Sequence, residues 1–393
     1  MAPVNFLQRL KLRINKAPVP TAPAISPRSA ALLSVLFTVI YVVPFYLSKT
    51  TRPSQTLHRD APSVIRARIR AVTSSCIVST LITFYVLFHH GHASLPEALH
   101  YLGWWPISVF DLFKTILLLC VLFAGPLFEY GFVEGEWRNW IKGTHVNETL
   151  SSWIGWRNFV AVSPLTPKLA TPDLTLLRQG PTTEELVWRG LLIPLHIYAH
   201  VSPSKIVFVT PLYFGIAHVH HFYEFRLTHP HTGPLAALFR SLFQFTYTSL
   251  FGFFAAFIFM RTGSLPAAIA AHSFCNWMGL PRLWGRVGPP TDPFDEPVAA
   301  SVEAVSIGPA GVDGEGKRFD GPANSKCTKC GGDRCKKCDG KGSGSGEPHI
   351  GWTTAYYVLL VAGAVGFWKL LWTLTESSNA LVVFGAKASE RAA

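Results

Sequence analysis

Apolar stretches of roughly 17 residues or more recur along the chain, and each dictates its own secondary structure. Hydrocarbon offers no water to a stray N–H or C=O, so a spanning segment must close its hydrogen bonds internally. About eight segments qualify as candidate spans: 30–47, 71–88, 112–128, 184–200, 205–225, 236–260, 265–280 and 352–375. They predict an all-α, polytopic membrane protein. The 265–280 segment is short and reads as tilted or partly re-entrant. Composition agrees: 49% of residues are hydrophobic and only 15% charged, where a soluble domain carries about 25% charge.

The positive charge lies mostly outside these segments. Arg9, Lys11, Arg13, Lys16 and Arg28 precede a full-length apolar run without a small-residue cleavage pattern, so that run reads as an anchor. Lys49, Arg52, Arg59, Arg66, Arg68 and Arg70 follow it on the other side. The positive-inside rule therefore gives conflicting votes, although the Lys- and Arg-free loop at 89–111 favours a cytoplasmic first loop. A net charge of +12 in tails and loops suits anionic lipid headgroups. No nucleic-acid-binding motif is visible, so nucleic acid is not an expected partner.

Five regions follow from the composition: a basic tail (1–29), a transmembrane core (30–285), a polar Gly-rich loop (286–350), a last span (351–376) and a C-terminal tail (377–393). Trp137, Trp140, Trp153 and Trp156 mark an interfacial segment. Asn147-Glu-Thr149 is a glycosylation sequon only if its loop is luminal. Pro164, Pro167, Pro172 and Pro181 make 161–183 a linker. Cys327, Cys330, Cys335 and Cys338 form paired CxxC units in the polar loop, with the spacing of zinc ligands. Four intervening residues are fewer than most structural zinc modules use, and free or oxidised thiols are the alternative. Cys76, Cys120 and Cys275 sit in apolar segments as small apolar side chains.

Three polar clusters interrupt the apolar segments. The first is Gly180-Pro-Thr-Thr-Glu184-Glu185-Leu-Val-Trp-Arg189. Carboxylates at membrane depth are costly and mark function. Glu185 also has structural explanations: Thr182-x-x-Glu185 fits a capping box, and Glu185 is four residues from Arg189. Glu184 has no such partner, and a carboxylate desolvated in an apolar pocket becomes a usable general base. The second cluster is Phe214-Gly-Ile-Ala-His218-Val-His220-His221. His218 and His221 share a helix face, and His220 is placed to meet Glu224; any of them could equally be interfacial. No HExxH is present. The third is His272-Ser-Phe-Cys-Asn276, whose two polar side chains share a face. They read either as an interhelical clasp or as donors for an oxyanion.

Together the three motifs resemble the type II CAAX prenyl endopeptidase family, the Ras-converting enzyme family of intramembrane glutamate proteases. Phe214-Gly-Ile-Ala-His-Val-His-His221 and Trp156-Arg-Asn158 look like its eukaryotic branch. The resemblance covers 150–280 closely. Two stretches depart from the family's pattern, about twenty extra residues near Ser163–Gly180 and the cysteine-bearing loop at 286–350.

The resemblance implies an endoprotease in the endoplasmic reticulum membrane, with its active site in a conical cavity facing the cytosol. Its substrates would be prenylated CAAX proteins, such as Ras-like GTPases or mating pheromone precursors, from which it releases the last three residues. Glu184 would activate water, His218 would position it, and His272 and Asn276 would stabilise the oxyanion. Glu185, Arg189 and Phe214 would support them, and no cofactor or active-site metal would be required. The alternatives are a zinc-dependent intramembrane metalloprotease using Glu184, His218 and His272, a proton-coupled transporter, or a non-catalytic scaffold. A transporter's pair of matching broken helices is not visible.

Overall fold

A computed structural model describes residues 22–54, 61–142, 180–288 and 350–384, and every regular element among them is helical. The helices are α1 (Pro27–Val42), α2 (Pro44–Leu47), α3 (Pro62–Tyr85), α4 (Leu95–Tyr101), α5 (Val109–Leu122), α6 (Ala124–Phe128), α7 (Trp137–Lys142), α8 (Gly180–Glu185), α9 (Leu192–Tyr198), α10 (Pro203–Ala217), α11 (His220–Thr228), α12 (Pro234–Thr262), α13 (Leu265–Met278) and α14 (Ile350–Leu374). Three π-helical turns are spliced in: π1 (Val86–His90), π2 (Glu129–Val133) and π3 (Leu186–Leu191).

Local chemistry explains where the helices start and stop. Proline opens α1, α3, α10, α12 and α13, where its fixed φ suits the first turn and its missing N–H costs nothing. Ser26 and Ser264 cap α1 and α13 through their hydroxyls. Gly263 ends α12 at φ 57°, a left-handed conformation that glycine adopts freely.

All eight expected spans fall on helix, but they differ in reach. Pro27–Leu47, Ser63–His90, Pro234–Thr262 and Ile350–Leu374 are long and apolar enough to cross a membrane. A fifth is added if Val109–Leu122 and Ala124–Val133 count as one bent span. The 205–225 segment divides into α10 and α11, because the N–H groups of His218 and Val219 bond three residues back, to Gly215 and Ile216.

The chain forms two compact units. Among the described residues, one comprises 22–54, 61–123, 138–142, 180–279 and 363–384; the other comprises 124–137, 280–288 and 350–362. In the smaller unit Arg282 Nη2 lies 3.0 Å from Glu129 Oε1, and the Tyr356 hydroxyl donates to the Arg282 carbonyl at 3.1 Å. The larger unit holds all three polar clusters. Its core gathers Tyr41, Val187, Trp188, Leu191, Leu192 and Phe214. There α10 and α12 approach closely through glycine. A Cβ on Gly252 would stand 2.6 Å from Pro211 Cβ, and one on Gly215 would stand 2.6 Å from Ser249 Oγ.

Several expectations lie outside the described residues: the sequon, Trp156–Asn158, most of Ser163–Gly180, the four-cysteine cluster and most of the 286–350 loop.

Candidate functional site

The glutamate pair ends α8 where the helix widens into π3. Pro194, just downstream, lacks the N–H that an α-helix would give to the Gly190 carbonyl, and a widened turn upstream accommodates that loss. The expected capping box does not form. The Thr182 hydroxyl is buried without a partner, and Glu185 is turned into the core instead. Thr183 does the local work: its hydroxyl donates to the Gly180 carbonyl at 3.1 Å and accepts from the Tyr41 hydroxyl at 3.1 Å.

Around these carboxylates the three motifs meet. His272 Nδ1 is 2.7 Å from Glu185 Oε1, a contact between residues 87 positions apart. The ring's other nitrogen, Nε2, is 3.7 Å from Glu184 Oε2. Arg189 Nε lies 3.1 Å from Glu185 Oε2. One carboxylate therefore orients the imidazole and balances the buried guanidinium, while the second faces the imidazole's free edge. Their exposure differs accordingly: the Glu185 side chain is 0% exposed and that of Glu184 25%. A fully buried carboxylate is tolerable only with such partners.

Aromatic rings frame the polar atoms. The Arg189 guanidinium lies over Phe214 at 4.8 Å and Phe251 at 5.6 Å, and Arg189 Nη2 reaches the Gly252 carbonyl at 3.5 Å. Phe251 also stands 4.7 Å from the His272 ring. Phe214 contacts both histidines, with ring centroids 4.5 Å from His218 and 6.2 Å from His272. His218 Nδ1 bonds to the Phe214 carbonyl at 2.8 Å, which leaves Nε2 as its outward edge. His218 is also within electrostatic reach of His272 and Arg189.

Glu184, Glu185, Arg189, Phe214, His218 and His272 thus share one neighbourhood. Asn276 lies one turn beyond His272 on α13, exposed, and its amide is engaged by no described residue. Sequence reasoning missed Tyr41, Phe251 and Gly252. All three sit in uninterrupted apolar runs, where no local signal separates them from lipid-facing neighbours.

Beside this site the histidine pairing differs from expectation. His221, not His220, meets Glu224, with Nδ1 to Oε2 at 2.9 Å, and Arg68 Nη2 holds the other carboxylate oxygen at 3.2 Å. His220 turns its Nδ1 to the Ala217 carbonyl. Among the described residues, the one group with donor atoms close enough for a cation is His220, His221 and Glu224, all within 4.8 Å of one another.

Comparison with known proteins bears directly on this constellation. Residues 173–278 match the family model described as Type II CAAX prenyl endopeptidase Rce1-like. The chain is 35% identical to a probable CAAX prenyl protease 2 of Schizosaccharomyces pombe, over 65% of this chain and 83% of that protein. It is 30% identical to CAAX prenyl protease 2 of Homo sapiens, over 62% of this chain and 68% of that protein. The Saccharomyces cerevisiae protein of that name is 26% identical over 64% and 80% of the two chains. No solved structure matches. With this extent of similarity spanning the segments that bring Glu184, His218 and His272 together, the chain is a peptidase and belongs to the type II CAAX prenyl endopeptidase family.

Proposed function

We propose that the protein cleaves prenylated CAAX proteins within the membrane, releasing their last three residues by attack of water. The observation that carries this reading is the pairing of His272 with both glutamates, Nδ1 on Glu185 and Nε2 toward Glu184. That arrangement fixes an imidazole edge opposite a partly exposed carboxylate, the geometry a general base and a polarising group need around one reacting carbonyl.

Glu184 takes the proton from water, and the hydroxide formed attacks the carbonyl of the prenylated cysteine. His218 Nε2 orients that water. His272 and the unengaged Asn276 amide stabilise the tetrahedral oxyanion. Collapse expels the amine of the departing tripeptide, which takes a proton back from Glu184. Glu185 and Arg189 hold His272 and the first turn in place rather than moving protons. No step calls on a metal, nor on Cys275 as nucleophile.

The same reading includes a bundle of about eight membrane-embedded helices around a conical cavity. It places the protein in the endoplasmic reticulum with the site facing the cytosol, acting on Ras-like GTPases or pheromone precursors. Detergent-solubilised protein should release the tripeptide from a farnesylated CAAX-ended peptide, followed by mass spectrometry, and act poorly on the unfarnesylated twin. Equal rates on the two peptides would remove the lipid-cavity part of this reading.

A further inference from the structure

One face of α12 leads away from the reaction centre. Phe251, Tyr247, Gln244 and Arg240 are spaced by four, three and four residues, so they fall on one helical stripe. Its inner end is fixed by Phe251, 4.7 Å from the His272 ring. Tyr247 is next and lies within electrostatic reach of both Glu184 and Arg240. Gln244 is only 8% exposed, yet its amide makes no hydrogen bond to any described residue. Arg240, at the far end, rests its guanidinium on the Phe225 ring at 4.2 Å and pairs with no carboxylate among the described residues.

The half-buried guanidinium has no acidic partner among the described residues, and on the same stripe stands an amide that no described residue engages. Together they are suited to an anion with hydrogen-bond acceptors, which an Arg fork binds in bidentate fashion. Arg240 lies eleven helical residues, about 16.5 Å, from Phe251 and seven, about 10.5 Å, from Tyr247. Three extended peptide residues span about 10 Å, so a tripeptide reaches Arg240 from the level of Tyr247.

We propose that Arg240, with Gln244 and Tyr247, forms the subsite for the substrate's free terminal carboxylate, three residues beyond the bond cleaved. This rests on the reading that the protein releases a C-terminal tripeptide, whose far end must carry that group. Arg240 takes the carboxylate, Gln244 donates beside it, and Tyr247 stands at the tripeptide's cleaved end, on the Glu184 side. Endoproteolysis is thereby restricted to a fixed distance from a chain terminus.

The test is a matched pair of farnesylated peptides, one ending in the free acid and one in the carboxamide. Wild type should prefer the acid by about 10–100-fold in kcat/KM, the range for a charge-assisted hydrogen-bonded pair. Arg240→Gln should lower kcat/KM on the acid toward the level of the amide and change the amide rate far less, with a thermal midpoint near wild type showing that the variant is folded. Arg240→Lys should restore part of the preference, and Gln244→Leu should weaken it. Retention of full acid preference by Arg240→Gln, or equal loss on both peptides, would overturn the subsite while leaving the protease reading intact. A wild-type protein that cleaves neither peptide would overturn both.

Discussion

Glu184 and Glu185 are neighbours in the chain with opposite surroundings. Glu185 has no exposure, a guanidinium on one oxygen and an imidazole on the other. Removing it strands Arg189 as an uncompensated buried charge, at a cost of about 3–5 kcal/mol. Glu185→Ala should therefore lower the thermal midpoint in detergent markedly. Glu184→Ala should leave the midpoint near wild type and end turnover, since that side chain is a quarter exposed and its contact with His272 Nε2 is long, at 3.7 Å. A matching drop in both variants would undo this division of labour. Asn276→Ala should reduce kcat by about 10²–10³ with little change in substrate binding, as expected for loss of one oxyanion donor. A change confined to KM would make Asn276 a binding residue instead.

At the scale of elements, the motifs were legible because each is a local spacing. Glu185 with Arg189 and His272 with Asn276 are four apart, and such pairs declare themselves on any helix. The Glu185–Arg189 pair survives even though the backbone between them enters the π turn. The Tyr41–Thr183 bond and the Phe251–His272 contact join distant stretches and leave no trace in spacing. The capping box expected at Thr182 does not form, because the burial of Glu185 against His272 outweighs a first-turn bond. The α10–α11 break was also hidden, since its i−3 bonds follow from backbone geometry and not residue type. The close approach of α10 and α12 yields its own prediction. A Cβ at Gly252 meets Pro211, a rigid ring that cannot rotate away. Gly252→Ala should cost about 1–3 kcal/mol through overpacking and reduce activity by displacing Arg189's carbonyl partner. Wild-type stability and activity in that variant would show that the two helices separate freely.

For the whole molecule, apolar runs specify helices well but not how each meets the bilayer. Four to five helices are long and apolar enough to cross, whereas α8, α10 and α13, which carry or border the catalytic candidates, are short and polar-interrupted. Polar side chains on short helices need neighbouring protein to shield them, and a long prenyl chain needs an apolar hollow. Each buried methylene contributes about 0.8 kcal/mol, so a few of them account for a large preference over an unprenylated peptide. Chelation should leave turnover unchanged in this scheme, and activity lost to chelation and regained with added zinc would instead put a metal at the site. The central claim is that the Glu184 carboxylate activates water beside His272. Its most direct test is tripeptide release from a farnesylated CAAX peptide by wild type and by folded Glu184→Ala: turnover in the first and none in the second is the predicted result, and comparable turnover in both would contradict it.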